Sequence, residues 1–169
     1  MENFEKIDVK SLENAIKIIG SDWMLITVKD EENERVNAMT ASWGALGFLW
    51  RRPVCICFVR PERYTFKLLE KQKEFSIAFL GNDERDAYNI CGKESGADID
   101  KLKKCGLDTD EIDGIPVISN ANILLTCKVL YEDDIKENGF LDKSILSNYE
   151  SAGYHRMYVC EICGAYKKD

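Results

Sequence analysis

The stretch NAMTASWG, residues 37–44, interrupts the pattern of the sequence around it. WMLITVK precedes it and PVCICFVR follows it, and both are rich in the apolar residues typical of strands. Small residues, Asn37, Thr40 and Ser42 among them, stand where a barrel or sandwich would need bulk. Small side chains and glycines at the exit of a strand allow a backbone or a planar group to approach closely. The stretch therefore predicts a place for a flat ligand, with Trp43 either beside that ligand or packed in the core.

The elements around this stretch predict an antiparallel barrel decorated by helices, because strands are many and no strict βαβ alternation occurs. Residues 22–29, 35–39 and 53–60 predict three strands of a tight meander. Later strands are predicted at 74–81, 122–133 and 157–165. Helices are predicted at 11–20, capped by Ser11, at 61–72 from Pro61, and at 83–92 and 98–106.

Length and composition bound the class of protein. With 169 residues, 45% of them hydrophobic and 31% charged, the chain is expected to form one globular domain over residues 1–169. No apolar run is long enough for a membrane span, and no signal peptide is indicated, so a cytoplasmic protein is expected. A net charge of -7 disfavours binding to many phosphates, so nucleic acid is not an expected partner.

The seven cysteines give no support for a metal site. Cys160 and Cys163 form a CxxC motif, but RMYVCEIC is predicted to be a strand, where residues i and i+3 point to opposite faces. Cys55 and Cys57 share a strand face without a second pair at chelating spacing. We therefore expect these cysteines to be small buried hydrophobic residues and expect no metal.

Two further segments carry groups that suit an anion. In VRPERYT, residues 59–65, a helix beginning at Pro61 would present free N–H groups next to Arg60, Arg63, Tyr64 and Thr65. This segment is typical of a seat for one phosphate, although the two arginines could equally be solvated.

The second segment is CGKESGADIDK, residues 91–101. Ser95 and Gly96 offer a hydroxyl and a free backbone, and Asp100 is predicted to cap a helix. Lys101 in the first turn of that helix opposes the helix dipole, which indicates either a nearby anion or an exposed lysine.

These segments, with EFSIAF and GYHRMYVCEI, resemble in order and separation the flavin reductase-like, FMN-binding split-barrel family, specifically its flavoredoxin-type branch. The resemblance covers residue 12 to the C-terminus. It implies a six-stranded antiparallel Greek-key split barrel that forms a homodimer, with FMN as the cofactor in a groove at the subunit interface.

The resemblance also implies roles for individual residues. The isoalloxazine and ribityl region would be lined by Asn37, Met39, Thr40, Ala41, Ser42 and Trp43. The phosphate end would be served by Arg60, Arg63, Tyr64 and Thr65, and the site would be closed by Ser95, Gly96 and Lys101. His155, in GYHRMY, would approach the flavin and is the candidate catalytic residue, as a proton donor or as a group that orients the flavin. Ala97 stands where this branch often has a basic residue.

Three functions remain open at this point. The first is an oxidoreductase that passes reducing equivalents from NADH or NADPH through bound FMN to an acceptor. The second is an electron-transfer module in which FMN shuttles electrons between redox proteins without nicotinamide turnover. The third is a binding protein for another planar, phosphate-bearing molecule. No dinucleotide fingerprint is present, and this absence does not separate the first two functions.

Overall fold

Ten strands and four α-helices build the part of the chain that the computed structural model describes, residues 4–168 apart from the side chain of Asn82. The strands are β1 (Phe4–Ile7), β2 (Met24–Asp30), β3 (Arg35–Ala41), β4 (Gly44–Leu49), β5 (Arg52–Val59), β6 (Glu74–Phe79), β7 (Thr109–Ile112), β8 (Ile115–Ile118), β9 (Ile123–Asp134) and β10 (Arg156–Lys168). The helices are α1 (Ala15–Gly20), α2 (Tyr64–Gln72), α3 (Arg85–Lys93) and α4 (Lys101–Cys105).

Eight strands form one antiparallel sheet in the order β3-β2-β6-β9-β10-β5-β4, with β1 paired to β10. Strands β7 and β8 form a separate hairpin. The pairing of β9 with β10 shifts register between Val159 and Cys160 and again between Ile162 and Gly164. Such bulges bend a sheet, which lets these long strands curve around the core. This mainly antiparallel architecture with a few helices confirms the predicted fold class, with eight strands in the main sheet rather than six.

Two apolar clusters lie on the two faces of the sheet. One contains residues of β2, β5, β6, β9 and β10, such as Phe75 and Tyr158, packed with Leu69 of α2. The other lies under α3, α4 and β8 and includes Tyr88 and Leu102. Full burial of a side chain of this size stabilises the folded state by about 1.5–3 kcal/mol. Both α2 and α3 contact β3.

The predicted meander is wrong in its third strand. Strands β2 and β3 form a hairpin, as expected, but β5 pairs with β4 and β10 at the other side of the sheet. The missed strand is β4, which begins at Gly44, inside the opening stretch. A Cβ atom at Gly44 would lie 2.7 Å from the carbonyl oxygen of Ile56, so glycine is needed for the close approach of β4 to β5.

Helix starts also differ from the predictions. Ser11 does not cap α1, because it ends a short 3-10 turn, Val9–Ser11, that is capped by Asp8. Helix α2 begins at Tyr64 rather than at Pro61, with Arg63 in the N-cap position. The predicted cap of α4 is confirmed, since the carboxylate of Asp100 accepts a hydrogen bond from the backbone N–H of Lys103 at 3.1 Å.

Candidate functional site

The opening stretch and the arginine-bearing entrance to α2 lie against the same cavity. This cavity, with a volume of about 270 Å³, is lined by Met39, Thr40, Ala41, Ser42, Trp43, Phe58, Arg60, Arg63 and His155. The end of β3 and the start of β4 form one side, the end of β5 contributes Phe58, and His155 immediately precedes β10. Segments far apart in sequence thus bring aromatic rings, hydroxyl groups and two guanidinium groups together.

His155 and its aromatic neighbours form one end of the cavity. The centroid of the His155 ring is 4.9 Å from that of Trp43 and 6.5 Å from that of Phe58. Its Nδ1 atom lies 3.3 Å from the hydroxyl oxygen of Tyr149. Burial, helped by the positive charge of Arg60, lowers the pKa of His155 to about 4. The imidazole is therefore neutral at neutral pH, with one donor and one acceptor nitrogen.

Arg60 lies at the same end and holds the connection between β9 and β10. Its guanidinium donates to the carbonyl oxygen of Asn148 at 2.9 Å and to that of Gly153 at 3.4 Å. It also lies 5.4 Å from the centroid of the Tyr149 ring. Glu62 accepts a hydrogen bond from the backbone N–H of Gly153 at 2.6 Å. These contacts position His155, and an arginine with five N–H groups retains donors for a ligand.

Arg63 also lines the cavity, and it lies next to the C-terminus of α3. Its guanidinium donates to the carbonyl oxygens of Gly92 and Cys91, the second at 2.9 Å. A cation in this position complements the negative end of the helix dipole. Burial lowers the pKa of Arg63, but a guanidinium stays charged at neutral pH. Arg60 and Arg63 therefore place two positive charges against one cavity, the first near His155 and the second beside the C-terminus of α3.

Lys101 supports the same helix end from beneath and does not line the cavity. It is buried, with 3% of its surface exposed, and its Nζ atom lies 3.4 Å from the carbonyl oxygen of Cys91. Burial, together with the nearby charge of Arg63, lowers the pKa of Lys101 to about 8, against an opposing effect of Cys91.

A second group of predicted residues, Asn37, Thr65 and Gly96, forms a buried contact between β3, α2 and the loop after α3, which we call the floor. Asn37 and Thr65 are buried, and the Asn37 side chain donates to the Thr65 hydroxyl at 2.8 Å. Gly96 packs against this pair so closely that a Cβ atom there would lie 1.9 Å from the Asn37 side-chain oxygen. Ser95 stays within its own loop, where its hydroxyl accepts from the N–H of Ala97 at 3.1 Å.

Asp30 holds the outer edge of this floor. Its carboxylate accepts from the Tyr64 hydroxyl at 3.0 Å and from the guanidinium of Arg35 at 3.4 Å, while Arg35 also donates to the carbonyl oxygen of Gly96. Burial raises the pKa of Asp30, but hydrogen bonds from Asn33, Tyr64 and Arg35 outweigh it and leave the pKa below its usual value. Tyr64 is thus committed to Asp30 rather than to the cavity.

The predicted residues therefore divide into two sets. Those that line the cavity are Met39, Thr40, Ala41, Ser42, Trp43, Arg60, Arg63 and His155. Those that lie outside its lining are Asn37, Tyr64, Thr65, Ser95, Gly96 and Lys101. Sequence reasoning missed Phe58, although the two-residue period of β5 places it on the face opposite the buried Cys57 and Val59. It also missed Arg35 and Asp30, for which the sequence gives no signal beyond their places at the ends of β3 and β2.

Within residues 4–168, no cysteine side chain lines this cavity. Cys160 is buried, as predicted, but Cys163 is exposed, so the prediction that Cys163 is a buried hydrophobic residue is wrong. The two side chains point to opposite faces of β10, and only one face is covered by the core. Cys55 and Cys127 are buried with their sulfur atoms 3.5 Å apart.

Within residues 4–168, no group of three or more histidine, cysteine, aspartate or glutamate side chains could hold a metal ion. Over the same residues, no helix is both long and apolar enough to cross a membrane.

The neutral state of His155 predicts a loss of stability in mild acid. Its folded pKa of about 4 lies below the ordinary value of 6.5, so between these values the unfolded chain binds more protons. The contribution is complete above pH 6.5 and is lost as the pH falls toward 4. Urea unfolding at pH 7 and pH 5 should show a decrease that is about 1–2 kcal/mol smaller in His155→Gln than in the wild type. Equal decreases in the two proteins would contradict the burial of a neutral imidazole.

Residues 17–169 match the model of the flavin reductase like domain, and the chain belongs to this family. The resemblance stated from the motifs is thereby confirmed, and family membership supports a flavin as the ligand. No relative was found among curated proteins.

Solved structures show the same fold. An FMN-binding domain of a flavin reductases-like enzyme from Shewanella baltica OS155 has a TM-score of 0.70 at 17% identity, over 98% of this chain and 78% of that one. A flavoredoxin from Methanosarcina acetivorans has a TM-score of 0.68 at 20% identity, over 98% and 76%. An FMN-binding protein from Thermus thermophilus, crystallised with p-hydroxybenzaldehyde, has a TM-score of 0.67 at 20% identity, over 98% and 82%. At these identities the comparisons establish the fold, which confirms the predicted split barrel.

Proposed function

We propose that the chain binds FMN in the cavity between the opening stretch and Arg63, and that it is an oxidoreductase that takes reducing equivalents from NADH or NADPH. The observation that carries this proposal is the convergence of residues 39–43, Arg60, Arg63 and His155 on one cavity. Membership in the flavin reductase-like family and the FMN-binding proteins among its structural neighbours support the choice of ligand.

The donor set fits such a ligand. A guanidinium group suits a phosphate, and Arg63 provides one at the α3 end of the cavity. The rings of Trp43, Phe58 and His155, which lie close together in the lining, suit a flat aromatic system. The hydroxyls of Thr40 and Ser42 lie in the lining of the same cavity.

FMN would supply the redox chemistry, and the protein would set its affinity, orientation and electrostatic surroundings. Arg60 places a positive charge next to His155, which favours a negatively charged form of a ligand at that end. His155, held by Tyr149 and kept neutral, orients the ligand through a hydrogen bond rather than through charge. Trp43 limits access at the mouth of the cavity, where 44% of its surface is exposed.

Anaerobic stopped-flow absorbance tests the nicotinamide step. The FMN-loaded protein is mixed with NADH or NADPH, and loss of the visible flavin band is expected with at least one of them. Dithionite serves as the positive control for reducible flavin. A flavin that dithionite bleaches and neither nicotinamide reduces within minutes would defeat the reductase proposal.

The second candidate is an electron-transfer flavoprotein that exchanges electrons with a redox-protein partner. The exposed edge of Trp43 favours this candidate, because it brings the cavity wall to the protein surface. Retention of FMN without nicotinamide reduction in the same experiment would support it.

We also propose that the chain forms one domain that assembles as a homodimer. Pairing of β1 with β10 joins the two ends of the described chain in one sheet, which supports a single domain. Phe48 and Trp50, in and just after β4, are 69% and 54% exposed, and Tyr131 of β9 lies beside Trp50 with ring centroids 6.4 Å apart. Exposed apolar groups of this kind support an assembly surface, and sedimentation equilibrium measures the mass of the assembly.

A further inference from the structure

A second cavity adjoins the first on the α3 side of Thr40 and Ser42. Its volume is about 240 Å³, and Thr40 and Ser42 line both cavities. The remaining walls come from α3 and from the residue that precedes β2, and they include Trp23, Tyr88, Gly92 and Lys93. None of these four residues carries a role in the resemblance to the family.

The size of the first cavity indicates that the ligand site continues into the second. Pockets for ligands of this class enclose about 300–1,000 Å³. The first cavity alone, at about 270 Å³, is below this range, and the second shares a wall with it. A ligand that rests on Thr40 and Ser42 therefore has access to the residues of both cavities.

Trp23 is held in an uncommon conformation on the wall of the second cavity. Its φ angle of 72° lies in the left-handed region, which is strained for a bulky residue. The Tyr88 hydroxyl donates to the carbonyl oxygen of Trp23 at 3.0 Å and accepts from the N–H of Leu80 at 2.9 Å. The guanidinium of Arg85 lies 4.4 Å from the centroid of the Trp23 ring. A strained residue that its neighbours fix so firmly points to a function for its side chain.

Positive charge lies where the two cavities meet. Arg63 lines the first cavity and donates to the carbonyl oxygen of Gly92, which lines the second. Lys93, the last residue of α3, is exposed and lines the second cavity. Within residues 4–168, Lys93 has no ion-pair partner, whereas Lys104 nearby is paired with Glu94. The meeting point therefore combines two cations with the hydroxyls of Thr40 and Ser42.

We infer that the two cavities are one ligand groove, and that Trp23 and Lys93 are further binding residues whose end of the groove receives the phosphate-bearing part of the flavin. This inference rests on the proposed function. It gives the two arginines different roles, since Arg63 would act with Lys93 on the phosphate while Arg60 lies near His155.

Binding titrations of the FMN-free protein with FMN and with riboflavin, which lacks the phosphate, test the inference. Lys93→Gln should weaken FMN binding by about 5- to 10-fold and leave riboflavin binding within about twofold of the wild type, because it removes one charge-assisted contact. Lys103→Gln, an exposed lysine of α4 away from both cavities, is the control and should change neither affinity. Trp23→Leu should weaken FMN binding by about 10-fold, and Trp23→Phe should restore most of the loss.

Three outcomes would overturn the inference. One is wild-type FMN affinity in Lys93→Gln, and another is an equal loss of FMN and riboflavin binding in Lys93→Gln. The third is a wild-type protein that binds no FMN, which would overturn both the proposed function and this inference. Tight FMN binding by the wild type, with unaffected variants, would overturn this inference alone. Because Lys93 is exposed, its variant decides the question even if Trp23→Leu does not fold.

Discussion

Gly96→Ala is expected to destabilise the folded protein by roughly 1–3 kcal/mol, because the added methyl group overpacks the floor, and to weaken FMN binding as the floor shifts against the cavity lining. An added Cβ would lie 1.9 Å from the side-chain oxygen of Asn37 and 3.0 Å from a ring carbon of Tyr64. Asn37 cannot easily withdraw, because its amide donates to the buried Thr65 hydroxyl. The loop that contains Gly96 must therefore move outward, which would break the hydrogen bond from Arg35 to the Gly96 carbonyl oxygen.

FMN titration and thermal unfolding together measure this effect. Gly20→Ala is the matched control, because a Cβ at Gly20 would have no atom within 4 Å. Unchanged FMN affinity in a folded Gly96→Ala protein would show that the floor built by Asn37, Thr65 and Gly96 does not shape the ligand site.

Arg63→Ala should cause the largest loss of FMN affinity among the single substitutions, about 100-fold, since charged hydrogen bonds contribute about 1.5–3 kcal/mol and two elements lose their link. The substitution removes the guanidinium from the cavity and leaves the carbonyls of Cys91 and Gly92 without its bonds. Arg63→Lys keeps the charge but cannot bridge both carbonyls with a planar fork, so an intermediate affinity is expected.

Arg52→Gln provides the control for Arg63→Ala, because Arg52 is exposed and paired with Glu161 on a different part of the sheet. If the FMN affinity of Arg63→Ala is within twofold of that of the wild type, Arg63 does not contribute to FMN binding. A loss in FMN affinity equalled by the loss in riboflavin affinity would retain Arg63 as a structural residue but reject its contact with the phosphate.

Local signals in the sequence were enough to find the elements that carry the site. Residues 37–44 and Arg63 were singled out by residue type alone, and the structure places the end of the first beside the second. Asp100 was correctly assigned as a cap, because capping depends on groups only a few residues apart. The resemblance to the family, carried by five short motifs, added the expectation that these elements share a ligand.

Long-range pairing was beyond these signals. Strand β4 follows β3 in sequence but lies at the opposite edge of the sheet, and no local pattern specifies such an order. Strand β4 was not predicted, because Gly44 and Gly47 weaken the alternation of apolar and polar residues that is typical of a strand. The depth of Lys101 was equally unpredictable, since a lysine in the first turn of a helix is usually exposed, and here Cys91 and Arg63 come from other elements to enclose it.

Titration of the FMN-free protein with FMN, followed by flavin fluorescence, tests the central claim most directly. Saturation at one FMN per chain with a Kd of about 1 µM or tighter is the predicted result, because the cavity brings cations and aromatic rings to one ligand. Fluorescence that rises in proportion to added FMN, with no saturable component at any protein concentration tested, would contradict the claim that residues 39–43, Arg63 and His155 form a flavin site.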